Sequence, residues 1–223
     1  MNPALLLLTD SRLPAGGHAH SGGVERAIVS GGIDSLETLA RFLTGRLHTS
    51  GLVAASFAAA ACSASAPCGR PSPGAAPSCD AWTSLDAELD ARTPSPAQRE
   101  ASRTQGRLLL RVARRLWPSP VLDTMPQSPH HPIVLGAVAH AAGLSPEDAA
   151  LAAAYHSVTG PATAAVRLLG LDPVEVHRLL ATLAPDLDQV TRTAQEGLSA
   201  ASAPLLDLLA EQHTKAEIRL FIS

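Results

Sequence analysis

Proline directly after a capping residue recurs along this chain of 223 residues and constrains its fold more than any other feature. The pattern occurs at Ser95-Pro96, Ser145-Pro146 and Asp172-Pro173. The first side chain of each pair can accept a hydrogen bond from a free backbone N–H, and the proline loses no bond because the first helical N–H has no partner within the helix. Helices are therefore predicted to begin at 96, 146 and 173. The first has Ser95 and Gln98 as a capping box and is predicted to run to about Leu116.

Apolar residues at three- and four-residue steps predict further helices between these points. Ser35 can cap one that ends near Gly51, and glycines close two others, at Gly31 and Gly143. Further segments are predicted over 24–29, 82–89, 132–142 and 162–169, and two more are separated by prolines at 185 and 204. With 46% apolar but only 3% aromatic residues, the core must consist mostly of Leu, Val and Ala, and no stretch alternates as a strand would. We expect an all-α, compact single-domain bundle of about nine or ten helices over residues 1–223.

One segment departs from this pattern. Residues 63–80 are rich in Ala, Ser, Pro and Gly, and such a composition buries too little apolar area to offset the entropy of ordering. We expect a flexible surface loop there. Cys62, Cys68 and Cys79 lie in or beside it and have neither zinc-ribbon spacing nor an even count, so they are predicted to be free thiols in a loop.

Charge and hydropathy exclude several classes of partner. The formal net charge of −3 argues against nucleic-acid binding, which normally needs a basic surface. The apolar patch Ala4–Leu8 has no basic residue before it, and the weakly polar stretch Leu52–Cys62 is shorter than the roughly 20 residues that span a bilayer. We therefore expect a cytoplasmic protein without a membrane segment.

Two histidine pairs are the candidate metal ligands. His18 and His20 lie two apart among glycines, and His130 is adjacent to His131. Neutral imidazole is a good nickel, copper or zinc ligand, but neither pair has a third ligand at helical spacing. A structural or surface role is favoured, and weak nickel binding stays open as the alternative.

Residues 16–23, Gly-Gly-His-Ala-His-Ser-Gly-Gly, combine glycines with a serine and histidines but match no catalytic motif. Ser21 lacks the upstream strand and flanking glycines of a nucleophile elbow, and the segment lacks the Lys-Ser/Thr pair of a phosphate loop. We therefore expect no catalytic residue, bound nucleotide or metal cofactor. Ser21 can cap a helix that carries Glu25 in its first turns, so the segment is either a rigid surface turn or a partner-docking loop.

A row of arginines follows the helix that begins at 96. They recur every fourth residue and form a basic stripe: Arg99, Arg103, Arg107, Arg111 and Arg115. The buried side of that helix is predicted to contain Ala101, Leu108, Leu109, Val112 and Leu116. A solvated face is the favoured interpretation of the stripe, and docking to an acidic partner is the alternative.

Residues 10–25, Asp-Ser-Arg-Leu-Pro-Ala-Gly-Gly-His-Ala-His-Ser-Gly-Gly-Val-Glu, resemble the N-terminal signature of the F-type urease accessory proteins, the UreF family. Further similarities follow in order over 99–106, 131–136, 164–168 and 213–223. The chain departs from the family in the insertion around 63–80 and in Leu-Gly-Leu-Asp-Pro at 169–173, where the family more often has Leu-Pro-Leu-Gly-Gln.

The resemblance implies an all-α, commonly dimeric protein that is not itself an enzyme. Such a protein joins the UreD/UreH-type accessory protein to the UreG-type GTPase, and gates GTP hydrolysis while nickel is delivered to apo-urease. Nickel and GTP would then be bound by the partners. The alternative function is that of a histidine-containing nickel carrier or metalloenzyme.

The resemblance also implies partner-binding residues. Those expected to shape an N-terminal docking loop and its helix are Pro14, Gly16, Gly17, His20, Ser21, Gly23 and Glu25. Arg167 is expected to pair with an acidic partner residue or to form an internal salt bridge. Arg219, Leu220 and Phe221 lie in a tail, 214–223, that is expected to become ordered when the accessory partner binds; the alternative is that the tail packs on its own bundle.

Overall fold

The computed structural model describes residues 2–66, 79–217 and 219–221, and within these residues the chain forms helices and no strands. The all-α prediction is confirmed. The helices are α1 (Pro3–Thr9), α2 (Val24–Val29), α3 (Leu36–Arg46), α4 (Leu52–Ala64), α5 (Cys79–Arg92), α6 (Pro96–Leu116), α7 (Pro120–Asp123), α8 (His131–Ala141), α9 (Pro146–Leu169), α10 (Pro173–Thr182), α11 (Ala184–Thr193) and α12 (Pro204–Thr214).

The centre of the fold is formed by α4, α8 and α9, which contact one another along their lengths. Nearly every residue of α8 is buried, and most of α4 is buried too. Small side chains make this close approach possible: a Cβ on Gly136 of α8 would lie 2.2 Å from the carbonyl oxygen of Ala58 in α4. An aromatic-poor core of Leu, Val and Ala thus packs by bringing helix backbones close together.

The prediction that a helix ends near Gly51 is wrong. Gly51 has helical dihedral angles, φ −64° and ψ −47°, and the π-helical turn Leu47–Gly51 joins α3 to α4. Glycine is required here because a Cβ would lie 2.7 Å from the hydroxyl oxygen of Ser157 in α9. The glycine marks close helix packing and not a helix end.

The joined helix, 36–64, has 29 residues and is long and apolar enough to cross a membrane by length and composition. It is the one helix of this kind in the described part of the chain, and 56% of its most apolar window is buried inside the fold. The core helix of a globular protein meets the same test, because its apolar faces are covered by other helices.

The prediction of a separate helix over 162–169 is also wrong, since α9 continues through Pro161. Proline has no N–H, so the carbonyl of Ser157 loses its usual helical donor. The guanidinium Nε of Arg46 donates to that carbonyl at 2.9 Å. A side chain from α3 therefore replaces the missing helical hydrogen bond.

The helix predicted to begin at Ser95-Pro96 is confirmed, but its cap is tertiary as well as local. Ser95 Oγ accepts from the N–H of Gln98, as in a capping box. The side chain of Gln98 does not return the bond; it donates to Asp207 of α12, which also accepts from the N–H of Ser95. Glu211 accepts from Ser95 Oγ and from the N–H of Ala97. Two carboxylates of α12 thus satisfy N–H groups that begin α6, where negative charge is favourable.

The buried face of α6 differs from the predicted one. It consists of Gly106, Leu109, Leu110 and Ala113, whereas Leu116 is 52% exposed. The arginine stripe lies obliquely to this face, so its members have different surroundings.

The structure describes only the two ends of the loop predicted over residues 63–80, and helices occupy part of both ends. Residues 63 and 64 end α4, residues 79 and 80 begin α5, and residues 67–78, including Cys68, lie outside the described residues. Cys62 is not in a loop: it is buried within α4, and its thiol points to the carbonyl of Leu144 at 3.7 Å. Burial, followed by the nearby charge of Asp148, raises the pKa of this thiol to about 11.

Candidate functional site

The glycine-rich loop, residues 14–23, is fixed at several points. Gly16, Gly22 and Gly23 have positive φ angles of 79°, 61° and 92°. A Cβ on Gly16 would lie 2.6 Å from Leu108 of α6, and the carbonyl of Gly22 accepts from Nη1 of Arg46 at 2.9 Å. Glycine is therefore needed in this loop both for the positive φ angles and for close packing.

Helix α2 follows directly and carries a buried carboxylate. Gly23 is its N-cap, so the predicted cap at Ser21 is only partly realised: Ser21 Oγ accepts from the N–H of Glu25 at 3.4 Å. Val24 and Glu25 are both buried, and Glu25 retains only 7% exposure.

Glu25 holds the C-terminal tail. One carboxylate oxygen accepts from the N–H of Leu220 at 2.7 Å, and the other accepts from the N–H of Phe221 at 3.0 Å. His213, at the end of α12, lies 3.1 Å from the carbonyl of Phe221 and 3.8 Å from Glu25. Phe221 is buried, so the described part of the tail packs on the bundle of its own chain, and ordering of the tail by a partner stays a prediction.

Several residues of the loop, the tail and α12 are available for contact. Pro14, Gly17 and Arg219 are exposed, and Leu220 is 76% exposed although its backbone is held. On α12, Leu206, Leu209 and His213 face the core, whereas Leu205 and Leu208 are 63% and 60% exposed. An apolar outer face on a helix whose inner face is already packed is typical of a protein contact surface.

A cavity of about 390 Å³ lies between the glycine-rich loop and helices α6, α8, α9 and α12. His20, His131 and His156 line it together with Arg46. The rings of His131 and His156 are 6.3 Å apart. Burial lowers the pKa of His20 and of His156 to about 4; for His131, burial together with the neighbouring histidines lowers the pKa to about 3. All three imidazoles are neutral at neutral pH.

His130 and His131, although adjacent, belong to different surroundings. His130 is fully buried, with Nε2 2.8 Å from Asp90 and Nδ1 3.0 Å from Ser102 Oγ, and its backbone N–H donates to a carboxylate oxygen of Asp86. Asp86, Asp90 and His130 are close enough to ligate one metal ion. Arg103 donates to both carboxylates at 2.7 Å, however, so the charge of this cluster is already offset by a guanidinium. Its geometry fits a structural network that joins α5, α6 and α8.

Comparison with known proteins decides the family. A family model described as UreF matches residues 33–184. The chain is 49% identical to "Urease accessory protein UreF" of Mycobacterium sp. (strain JLS), 48% identical to that of Mycolicibacterium vanbaalenii and 45% identical to that of Mycobacterium tuberculosis H37Rv. In each case the match covers 98% of this chain and 97% of the relative. The chain belongs to the UreF family.

In this UreF chain the residues predicted to bind partners fall into two regions. Glu25 and the tail meet at α2, although 195 and 196 residues separate Glu25 from Leu220 and Phe221, and the loop residues directly precede α2 in the chain. Arg167 lies apart on α9; it is exposed and has no ion pair among the described residues, so its predicted internal salt bridge is absent there.

Two UreF residues that the motifs did not single out organise the site. Arg46 connects Gly22 to α9, and His156 completes the cavity wall. The proline inside a long apolar helical pattern was the available signal for Arg46, because the freed carbonyl needs a donor from elsewhere. The arginines of the stripe also differ in their surroundings: Arg103 forms ion pairs with two carboxylates of α5, whereas Arg111 and Arg115 are exposed.

Proposed function

We propose that this UreF chain is a non-catalytic adaptor that bridges the UreD/UreH-type accessory protein and the UreG-type GTPase during nickel delivery to apo-urease. The relatives are named accessory proteins, which supports a role in assembly and not in catalysis. An adaptor that gates GTP hydrolysis must bind one state of the GTPase more tightly than another, because only differential binding shifts a conformational equilibrium.

The observation that carries this proposal is the apolar outer face of α12. Leu205 and Leu208 lie one turn apart and are both more than half exposed, while Asp207 and Glu211 of the same helix fix it to α6. The surface is therefore presented by a helix that is held in position. Preorganised apolar contacts lose less side-chain and backbone entropy on binding than flexible ones.

The proposal is tested by co-purification of the chain with the UreD/UreH-type protein and with the GTPase loaded with GTP or GDP. Replacing Leu205 and Leu208 by Asp is expected to abolish capture of the accessory protein. Val174→Asp is the control, because Val174 is 71% exposed on α10 and its replacement places one aspartate on an exposed apolar site elsewhere. Undiminished capture by the double variant, or equal loss in the control, contradicts the assignment of this face.

The tail is tested separately by Arg219→Ala together with Phe221→Ala. Unchanged co-purification with the UreD/UreH-type protein would count against a docking role for the tail. Light scattering of the purified chain tests the homodimer that the family resemblance implies. Equal affinity for the GTP and GDP forms of the GTPase would exclude gating by differential binding.

The nickel-carrier alternative is distinguished by isothermal titration of the isolated chain with nickel. Tight, stoichiometric binding that falls when His18 and His20 are replaced would support a carrier. The adaptor proposal predicts no such binding, and predicts nickel in the complex only when the partners are present.

A further inference from the structure

Arg46 is a part-buried cation that lacks a carboxylate partner among the described residues. It lies at the end of α3 and lines the cavity. No ion pair within the described residues includes it. Burial lowers the pKa of this guanidinium to about 10, yet it remains charged at neutral pH. A part-buried cation without a counter-charge has lost some of its hydration, so a site that retains one is suited to an anion.

The hydrogen bonds of Arg46 leave part of the guanidinium free. Nε donates to the carbonyl of Ser157 and Nη1 donates to that of Gly22, both at 2.9 Å. A guanidinium has five N–H donors, so three of them have no acceptor among the described residues. Two of these donors belong to Nη2 and one to Nη1, the two nitrogens that share the outer edge of the guanidinium. Gly22 leaves room beside the guanidinium, since a Cβ there would lie 3.2 Å from Nη2 and 3.3 Å from Cζ.

The surrounding cavity supplies neutral polar groups and little opposing charge. Ser50, His131 and His156 line it with Arg46. The acidic residues that also line it are engaged elsewhere: Asp207 accepts from the start of α6, and Glu100 accepts from Arg107 and Thr104. Neither carboxylate therefore neutralises Arg46.

We propose that the cavity binds a small planar oxyanion of the carboxylate class, such as formate or bicarbonate, against the free edge of Arg46. Parallel N–H groups on one edge of a guanidinium match the two oxygens of such an anion. The neutral ring of His131 can donate a further hydrogen bond, whereas the single N–H of neutral His156 is engaged by the backbone of Thr9. A cavity of about 390 Å³ has room for the anion and ordered water. The proposal does not depend on the assembly role, since it concerns the isolated chain.

Thermal unfolding of the purified chain in sodium formate, compared with sodium chloride at equal ionic strength and pH 7.5, tests the site. At ten times the dissociation constant, mass action is expected to raise Tm by about 3 to 6 °C. Arg46→Gln is expected to lose this shift. Arg167→Gln, which removes an exposed arginine without an ion pair among the described residues, is expected to keep it. Equal shifts in chloride, or the same formate shift in Arg46→Gln, would overturn the proposal. Equal stabilisation by sulfate would overturn the planar class.

Arg46→Gln also removes the donors to Gly22 and Ser157, so the variant could fail to fold. The unaltered chain provides an independent measurement, in which formate is titrated while the ring proton NMR signals of its histidines are followed. His131 and His156 are expected to shift along one saturable curve, whereas His177, which is exposed on α10, is expected not to shift. Linear shifts, or equal shifts for all three residues, would show that no site exists.

Discussion

Gly136→Ala tests whether close backbone contact between α4 and α8 stabilises the fold. The added Cβ would lie 2.2 Å from the carbonyl oxygen of Ala58, 2.8 Å from the Cβ of Ala61 and 2.8 Å from the N of Cys62. Real Cβ contacts essentially never fall below 3.0 Å, so the helices must separate by at least about 0.8 Å at this point. Because backbone atoms block the new group, no side-chain rotation can relieve the overlap.

Overpacking of a dense core lowers the free energy of unfolding by about 1 to 3 kcal/mol. Because the new methyl group of Gly136→Ala clashes with backbone, we expect a loss of about 3 kcal/mol. For a chain of this size the melting temperature should fall by about 6 to 12 °C. Gly45→Ala is the matched control: it lies in α3 with nothing within 4 Å of the new Cβ, and helix propensity predicts a gain of about 0.5 to 1 kcal/mol. Urea unfolding followed by circular dichroism measures both changes. A Gly136→Ala variant as stable as the unaltered chain would refute the packing argument.

Three further predictions concern the tail, the cavity and the buried thiol. Glu25→Gln keeps one acceptor oxygen but loses the charge, so the tail should open more often and trypsin should cleave after Arg219 at least about tenfold faster; an unchanged rate would contradict the role of the carboxylate. His156 stays neutral in the folded chain down to a pKa of about 4, whereas the unfolded chain binds a proton near pH 6.5, so stability falls on acidification through this window. In His156→Asn the pH slope of the unfolding free energy there should decrease by up to about 1.4 kcal/mol per pH unit, and an identical slope would contradict burial of the neutral ring. Cys62 should resist iodoacetamide at pH 8 until the chain is unfolded, as measured by peptide mass spectrometry, because its pKa is about 11; rapid alkylation of the folded chain would contradict its burial.

Local signals predicted most of the helix beginnings. The helices that start at Pro96, Pro146 and Pro173 were correctly predicted because a cap and a proline, joined in the last two by a first-turn acid, act within about four residues of one another. The UreF signature at 10–25 likewise indicated the family, since its residue pattern is carried by one short segment. The predicted roles of individual partner-binding residues remain predictions.

The wrong predictions of helix boundaries have a common cause, which is a contact with a residue distant in the sequence. Gly51 and Pro161 normally mark helix boundaries, yet both lie within continuous helix, because Ser157 approaches the first and Arg46 supplies the hydrogen bond that the second cannot. Glu25 was expected to favour the start of a short helix, but it also holds backbone N–H groups 195 and 196 residues away.

The sequence by itself therefore determined the helical class, the positions of most caps and the family, because these depend on neighbours along the chain. The tertiary structure alone decided which glycines serve as contact points, which carboxylates are buried, and that Arg46 faces a cavity without a carboxylate partner among the described residues. Those properties arise from groups on different elements of the chain, whose separation in space is fixed only when the helices pack.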